Sequence, residues 1–171
     1  MLDFKIIKNY VDAFYITTLH QKDKAYEECV KWVEILQQNP LIIQLLNNSA
    51  VDIIKKKNIF QDVIPSYFIT KKLFDIVIDN NRGGYWKAIV EIYIQKYKQE
   101  EGIVDVNVTS SIELKTEEIK KIESFLKQKY NYKKVNINNE IDTSIICGVI
   151  LSFDGKQIDY SLKTILQKMK L

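Results

Sequence analysis

The run Ile103-Val104-Asp105-Val106-Asn107-Val108 decides the fold, because here the apolar spacing changes from a period near 3.6 to a period of 2. Apolar residues at every second position stand on one face of a half-buried strand. Downstream, Thr116 is expected to cap a helix, with Glu117 and Glu118 favourably placed against the dipole in its first turn. Ile119, Ile122, Leu126 and Tyr130 share that helix's inner face. Strands are expected over 135–141 and 145–153, and Asp154-Gly155 is a two-residue hairpin signal leading into a short strand over 156–158. Ser161 is then the expected cap of a last helix burying Leu162, Ile165, Leu166 and Met169.

Upstream of Gly102 the spacing is helical throughout. Ala25, Cys29, Trp32, Val33 and Leu36 fall at i, i+4, i+7, i+8 and i+11, on one face of a helix that ends before Pro40. Tyr10, Ala13, Phe14 and Thr17 form a narrower stripe before it. Pro40 opens a short helix at its first position. Ser49 is the expected cap of a helix reaching about residue 59, and a further helix over 66–79 carries Ile69, Leu73, Ile76 and Asn80. Gly83-Gly84 breaks the chain, since glycine accepts the positive φ found beyond helix ends. Ile89, Ile92, Tyr93 and Tyr97 then mark a sixth helix over 85–101. The expected class is α+β: a six-helix bundle over 1–102, then a small α/β module over 103–171 made of a strand, a helix, β-hairpin strands and a C-terminal helix.

Composition bounds what such a chain does. Of its 171 residues 46% are hydrophobic and 27% charged, with 5 Gly and 2 Pro, which is enough apolar material for a packed core and excludes the disordered and fibrous classes. The net charge of +3 is spread over both halves and does not concentrate into a nucleic-acid footprint. No run is long and apolar enough to span a bilayer, and the first residues do not read as a secretory signal.

The residues that usually carry chemistry do not converge. Gly83-Gly84-Tyr85-Trp86-Lys87 lacks the spacing and the preceding strand of a phosphate cradle and reads as a helix break. His20 is the sole histidine and sits at the polar end of the first helix. Cys29 and Cys147 are too far apart for a metal spacing and read as small core residues, one in a helical stripe and one in a strand. The acidic pairs Glu27/Glu28, Glu100/Glu101 and Glu117/Glu118 do not face each other on a helix and read as solvated, as does Lys55-Lys56-Lys57. The residues therefore point to a two-module binding protein with no catalytic, cofactor or metal site.

One resemblance adds to that reading. The run from Val104 to Leu114, the run Ile141-Asp142-Thr143-Ser144-Ile145-Ile146-Cys147-Gly148-Val149-Ile150, and Ile158-Asp159-Tyr160-Ser161 before a Leu-rich end resemble the delta subunits of F-type ATP synthase, whose mitochondrial member is the oligomycin sensitivity-conferring protein. Asn80-Asn81-Arg82 is similar to the family's Asn-x-Arg, and Tyr10, Ala13 and Phe14 to its first-helix signature. Val11 and Cys147 depart from the pattern, standing where an alanine and a glycine are usual. The resemblance implies a non-catalytic stator protein of the peripheral stalk. Its helical domain would take the N-terminal helix of an alpha subunit between its first and fifth helices, and its C-terminal module would meet the C-terminal ends of b-type stalk helices. Tyr10, Ala13, Phe14, Leu73, Ile76 and Asn80 are then the expected groove residues. About nine residues precede Tyr10, so a bacterial member on the cytoplasmic face of the inner membrane is expected, held there only through its complex. A free-standing helical adaptor is one alternative; the other is a small enzyme or nucleotide-binding domain, against which the missing phosphate cradle and the solitary His20 argue.

Overall fold

The computed structural model describes residues 3–63 and 68–162, and the chain divides into two compact units, Met1–Tyr97 and Lys98–Leu171. The helices of the first unit are α1 (Phe4–Thr17), α2 (Lys22–Gln38), α3 (Pro40–Asn47), α4 (Ile53–Val63), α5 (Phe68–Asp79) and α6 (Trp86–Glu101), whose last turn passes into the second unit. Asp3 caps α1 by accepting from the amides of Lys5 (3.0 Å) and Ile6 (3.4 Å). Their inner faces meet in a core containing Val11, Phe14, Leu36, Val77 and Ile89. Its centre is aromatic: Trp32 stacks on Phe74 at 5.9 Å, and Trp86 meets Trp32 at 5.3 Å and Phe74 at 5.1 Å edge-on. Such pairs add about 0.5–1.5 kcal/mol each beyond the area they bury.

Several local expectations are corrected here. Asp52, not Ser49, opens α4, its carboxylate accepting from the Ile54 amide at 3.3 Å. The buried face of α5 is Thr70, Leu73, Phe74, Val77 and Ile78, whereas Ile69 is half-buried and Ile76 and Asn80 lie outside. The larger Phe74 turns the helix toward the tryptophans. Gly83 and Gly84 do not have positive φ; that conformation belongs to Asn81, at φ 56°. Gly83 is needed for close approach instead, since a Cβ there would lie 2.8 Å from the Leu46 carbonyl oxygen. Lys56 is buried, its Nζ donating to the same oxygen at 3.3 Å, so the lysine run is not a uniformly wet face. Glu28 is half-buried and bonded to Thr70.

The second unit contains β1 (Ile103–Ser110), α7 (Thr116–Tyr130), β2 (Lys134–Ile141), β3 (Val149–Phe153) and β4 (Lys156–Asp159) in one sheet ordered β2-β1-β3-β4. β1 and β2 run parallel, joined through α7 as a parallel pair requires, and the other two neighbours are antiparallel. Val104, Val106 and Val108 of β1 lie on the buried face with Val135, Leu151, Phe153 and Leu126 of α7. The hairpin turn places Asp154 at φ 45° and Gly155 at φ 68°, as its sequence requires.

Three expectations differ in this unit. Lys115 takes the capping position of α7, its amide donating to Glu118 at 2.8 Å, and Thr116 is the first helical residue. β3 begins at Val149, so residues 145–148 form a loop in which Cys147 is exposed and only Ile145 is buried. Leu162 is 40% exposed rather than buried, and Ile165, Leu166 and Met169 lie outside the described residues.

Candidate partner-binding surface

Two helix flanks in the first unit carry side chains that, Leu73 apart, lie beside the buried faces rather than in them. On α1 the core residues are Ile7, Val11 and Phe14. Ile6, Tyr10, Ala13 and Thr17 follow at i, i+4, i+7 and i+11 along the adjacent flank, Ile6 and Tyr10 half-buried and Ala13 and Thr17 exposed. On α5, Ile69, Leu73, Ile76 and Asn80 repeat that spacing. Of the six residues singled out from sequence, Phe14 (6% exposed) and Leu73 (7%) belong to the core, and Tyr10 is half-buried. Ala13, Ile76 and Asn80 face outward, Ile76 at 51% exposure. Sequence reasoning missed Ile16 of α1, 66% exposed, and passed over Ile6. The i, i+7 repeats Ile6/Ala13 and Ile69/Ile76 were the available signal.

The end of α5 ties these flanks together. The Asn81 amide donates to Ile78 at 2.8 Å and the Arg82 amide to Val77 at 2.9 Å, a left-handed helix stop in which asparagine takes the usual place of glycine. This turn aims Arg82 at α1. Its Nη1 donates to the Tyr10 hydroxyl at 2.9 Å, and the guanidinium lies 5.8 Å from the Tyr10 ring centroid. Asn80 Nδ2 donates to the Ile76 carbonyl at 2.7 Å, finishing the helix.

The second unit has its own apolar surface. A shallow recess of about 200 Å³ is lined by Lys121, Ile122 and Phe125 of α7, Val149 and Leu151 of β3, and Tyr160. Ile112, Ile141 and Ile146 are exposed at the end of the sheet where β1 and β2 finish.

Titratable groups are arranged for structure. Burial pushes the Cys29 thiol well up, out of the nucleophilic range. Burial also raises Tyr93 to about 12, against the lowering effect of its bond with the Thr18 hydroxyl. Asp105 is held below the usual carboxylate range: burial opposes this, but hydrogen bonds from Lys98 and Asn136 outweigh it. Among the described residues no three His, Cys, Asp or Glu side chains converge as a metal site, and no helix is long and apolar enough to cross a membrane.

Fold and surface together define a two-unit α+β protein whose distinctive surface features are apolar helix flanks and an apolar recess, the furniture of protein–protein contact. The family model described as ATP synthase delta (OSCP) subunit matches residues 6–171. Curated relatives named ATP synthase subunit delta include one from Caldanaerobacter subterraneus subsp. tengcongensis, 30% identical over 96% of this chain and 93% of its own length. Another, from Fervidobacterium nodosum, is 29% identical over 99% and 95%, and one from Lactobacillus gasseri is 26% identical over 97% and 93%. A chain of the Toxoplasma gondii mitochondrial ATP synthase hexamer shares the fold, with a TM-score of 0.73 over 96% of this chain and 94% of that one, at 15% identity. The chain belongs to the ATP synthase delta (OSCP) subunit family, the peripheral-stalk component of the F-type enzyme.

Proposed function

We propose that this chain is a non-catalytic stator link on the cytoplasmic face of a bacterial inner membrane, holding the catalytic head while the rotor turns. In this reading labour divides near the Gly102–Ile103 junction. The six-helix part receives the N-terminal helix of an alpha subunit along the flanks of α1 and α5. The C-terminal part meets the C-terminal ends of b-type stalk helices. The observation that carries the reading is the matched pair of flanks, Ile6-Tyr10-Ala13-Thr17 and Ile69-Leu73-Ile76-Asn80, linked by the Tyr10–Arg82 hydrogen bond. An amphipathic helix with anchors at i, i+3 or i+4, and i+7 matches that spacing, and Ala13 leaves room for its backbone.

The test is a calorimetric titration of the full chain with a synthetic peptide of the same organism's alpha-subunit N-terminus. Heat is the suitable readout because Trp32 and Trp86 are buried in the core, away from the flanks. Saturable one-to-one binding at micromolar strength or tighter, about 8 kcal/mol, is the expected result. No binding by the folded chain overturns the groove.

A further inference from the structure

Arg82 is the only arginine in a chain whose other basic side chains are all lysine, and the fold takes trouble to place it. Asn81 adopts φ 56° to stop α5, and Gly83 beyond it presses against the Leu46 carbonyl, so the backbone around Arg82 is fixed on both sides. The side chain is half-buried. Among the described residues its guanidinium donates one hydrogen bond, from Nη1 to Tyr10, out of the five N–H groups that it carries.

No carboxylate among the described residues pairs with it. Three acids near it in the sequence or on α1 and α6 are held by lysines instead: Asp79 by Lys57 at 2.5 Å, Asp12 by Lys96 at 2.6 Å, and Glu91 by Lys87 at 3.7 Å. A partly desolvated cation without a counter-charge is unfavourable, and lysine, with its flexible point charge, could make the single bond to Tyr10. What arginine adds is a planar fork that takes a carboxylate through two parallel hydrogen bonds.

We infer that Arg82 is the position at which the α1/α5 surface reads an acidic side chain of the incoming helix. The inference rests on the groove reading proposed above and sharpens it. Tyr10 holds the guanidinium from one side, leaving the rest of the fork for an Asp or Glu carboxylate. Arg82 lies two residues past Asn80, beyond the end of the apolar flank. The acid must therefore sit at one end of the partner's apolar stripe, which fixes the direction in which the helix lies on the surface. Apolar contacts supply affinity, and the ion pair supplies register and orientation.

The experiment is a double-mutant cycle by calorimetry, using the full chain and the synthetic alpha-subunit N-terminal peptide. The acidic residues of the peptide are changed singly to the corresponding amides. On the protein side the variants are Arg82→Gln, Arg82→Lys and Tyr10→Phe, each checked for its melting temperature. Arg82→Gln is expected to weaken binding about tenfold, as a desolvated charge-assisted pair does. One acid-to-amide peptide is expected to lose as much on the wild-type chain and almost nothing more on Arg82→Gln. Arg82→Lys falls between, and should Arg82→Gln not fold, it carries the same cycle. Tyr10→Phe lowers affinity less than Arg82→Gln, because the charge remains.

Unchanged affinity for Arg82→Gln, or losses that simply add for every peptide acid, would overturn the inference while leaving the groove intact. If the unmodified peptide fails to bind the wild-type chain, the groove reading falls and this inference with it.

Discussion

The Glu28 carboxylate on α2 accepts two hydrogen bonds from Thr70 in the first turn of α5, from its amide at 2.9 Å and its hydroxyl at 2.8 Å. The Thr70 hydroxyl in turn accepts from Trp32 Nε1 at 3.2 Å, so one acidic side chain orders a chain of buried polar groups between two helices. Glu28→Ala leaves the amide and hydroxyl without their acceptor and is expected to cost about 2–3 kcal/mol in urea unfolding. Glu28→Gln keeps an acceptor oxygen and should cost about half as much. Equal stability for all three chains would show that the network contributes nothing.

Gly148 stands just before β3 at φ 101°, and a Cβ there would lie 2.3 Å from the Tyr160 carbonyl oxygen and 2.7 Å from Ser161 Cα. Both obstacles are backbone, so Gly148→Val cannot be absorbed by a rotamer change. A loss of roughly 3–4 kcal/mol is expected, together with lost exchange protection at the Tyr160 and Leu162 amides, which donate to Val149 and Cys147 across this contact. Gly155→Asn is the control. Its φ of 68° suits asparagine and nothing lies within 4 Å of its Cβ position, so its cost should stay within about 1 kcal/mol.

Which parts of this fold are legible follows from what each signal measures. The α2 stripe and the β1 alternation are readable because burial there tracks hydrophobicity at a fixed period, and Ala25, Cys29, Trp32 and Leu36 are all buried. The periodicity of α5 points one side-chain position away from its true inner face. Its sequence offers two apolar stripes, and only the tertiary position of Trp32 and Trp86 selects the one bearing Phe74. Lys56, Glu28 and Gly83 read as solvent or breaker signals, because their roles depend on a carbonyl or hydroxyl distant in sequence. The choice of Tyr10, Ala13, Phe14, Leu73, Ile76 and Asn80 as a surface came from the family resemblance, and helical spacing alone cannot show that Phe14 and Leu73 are already spent on the core.

Tyr93 makes alkaline pH a probe of the helical unit. Burial raises its phenol to about 12, while the unfolded chain titrates near 10, so the unfolded state loses this proton first. The tyrosine's contribution is thus complete below about pH 10 and is lost as pH rises from there to about 12. Denaturant midpoints measured across that window should fall more steeply for the wild type than for Tyr93→Phe. At neutral pH Tyr93→Phe should cost only about 1 kcal/mol, the bond with Thr18. Parallel slopes for the two chains would rule the group out.

Ile76 offers a test of the proposed docking surface that is separate from folding. At 51% exposure on the flank of α5, an aspartate at this position keeps its hydration in the free chain, and Ile76→Asp should leave stability within about 1 kcal/mol of wild type. Leu73→Ala, three residues away but 7% exposed, removes core volume and should cost about 2–5 kcal/mol. Once a helix lies on the flank, the introduced carboxylate would be buried among apolar groups, and the alpha-subunit peptide should bind at least about tenfold more weakly. The two variants therefore make opposite demands: one keeps the fold and loses the partner, the other loses stability through a side chain already spent on the core. Wild-type peptide affinity in folded Ile76→Asp would place the docking surface elsewhere on the helical unit.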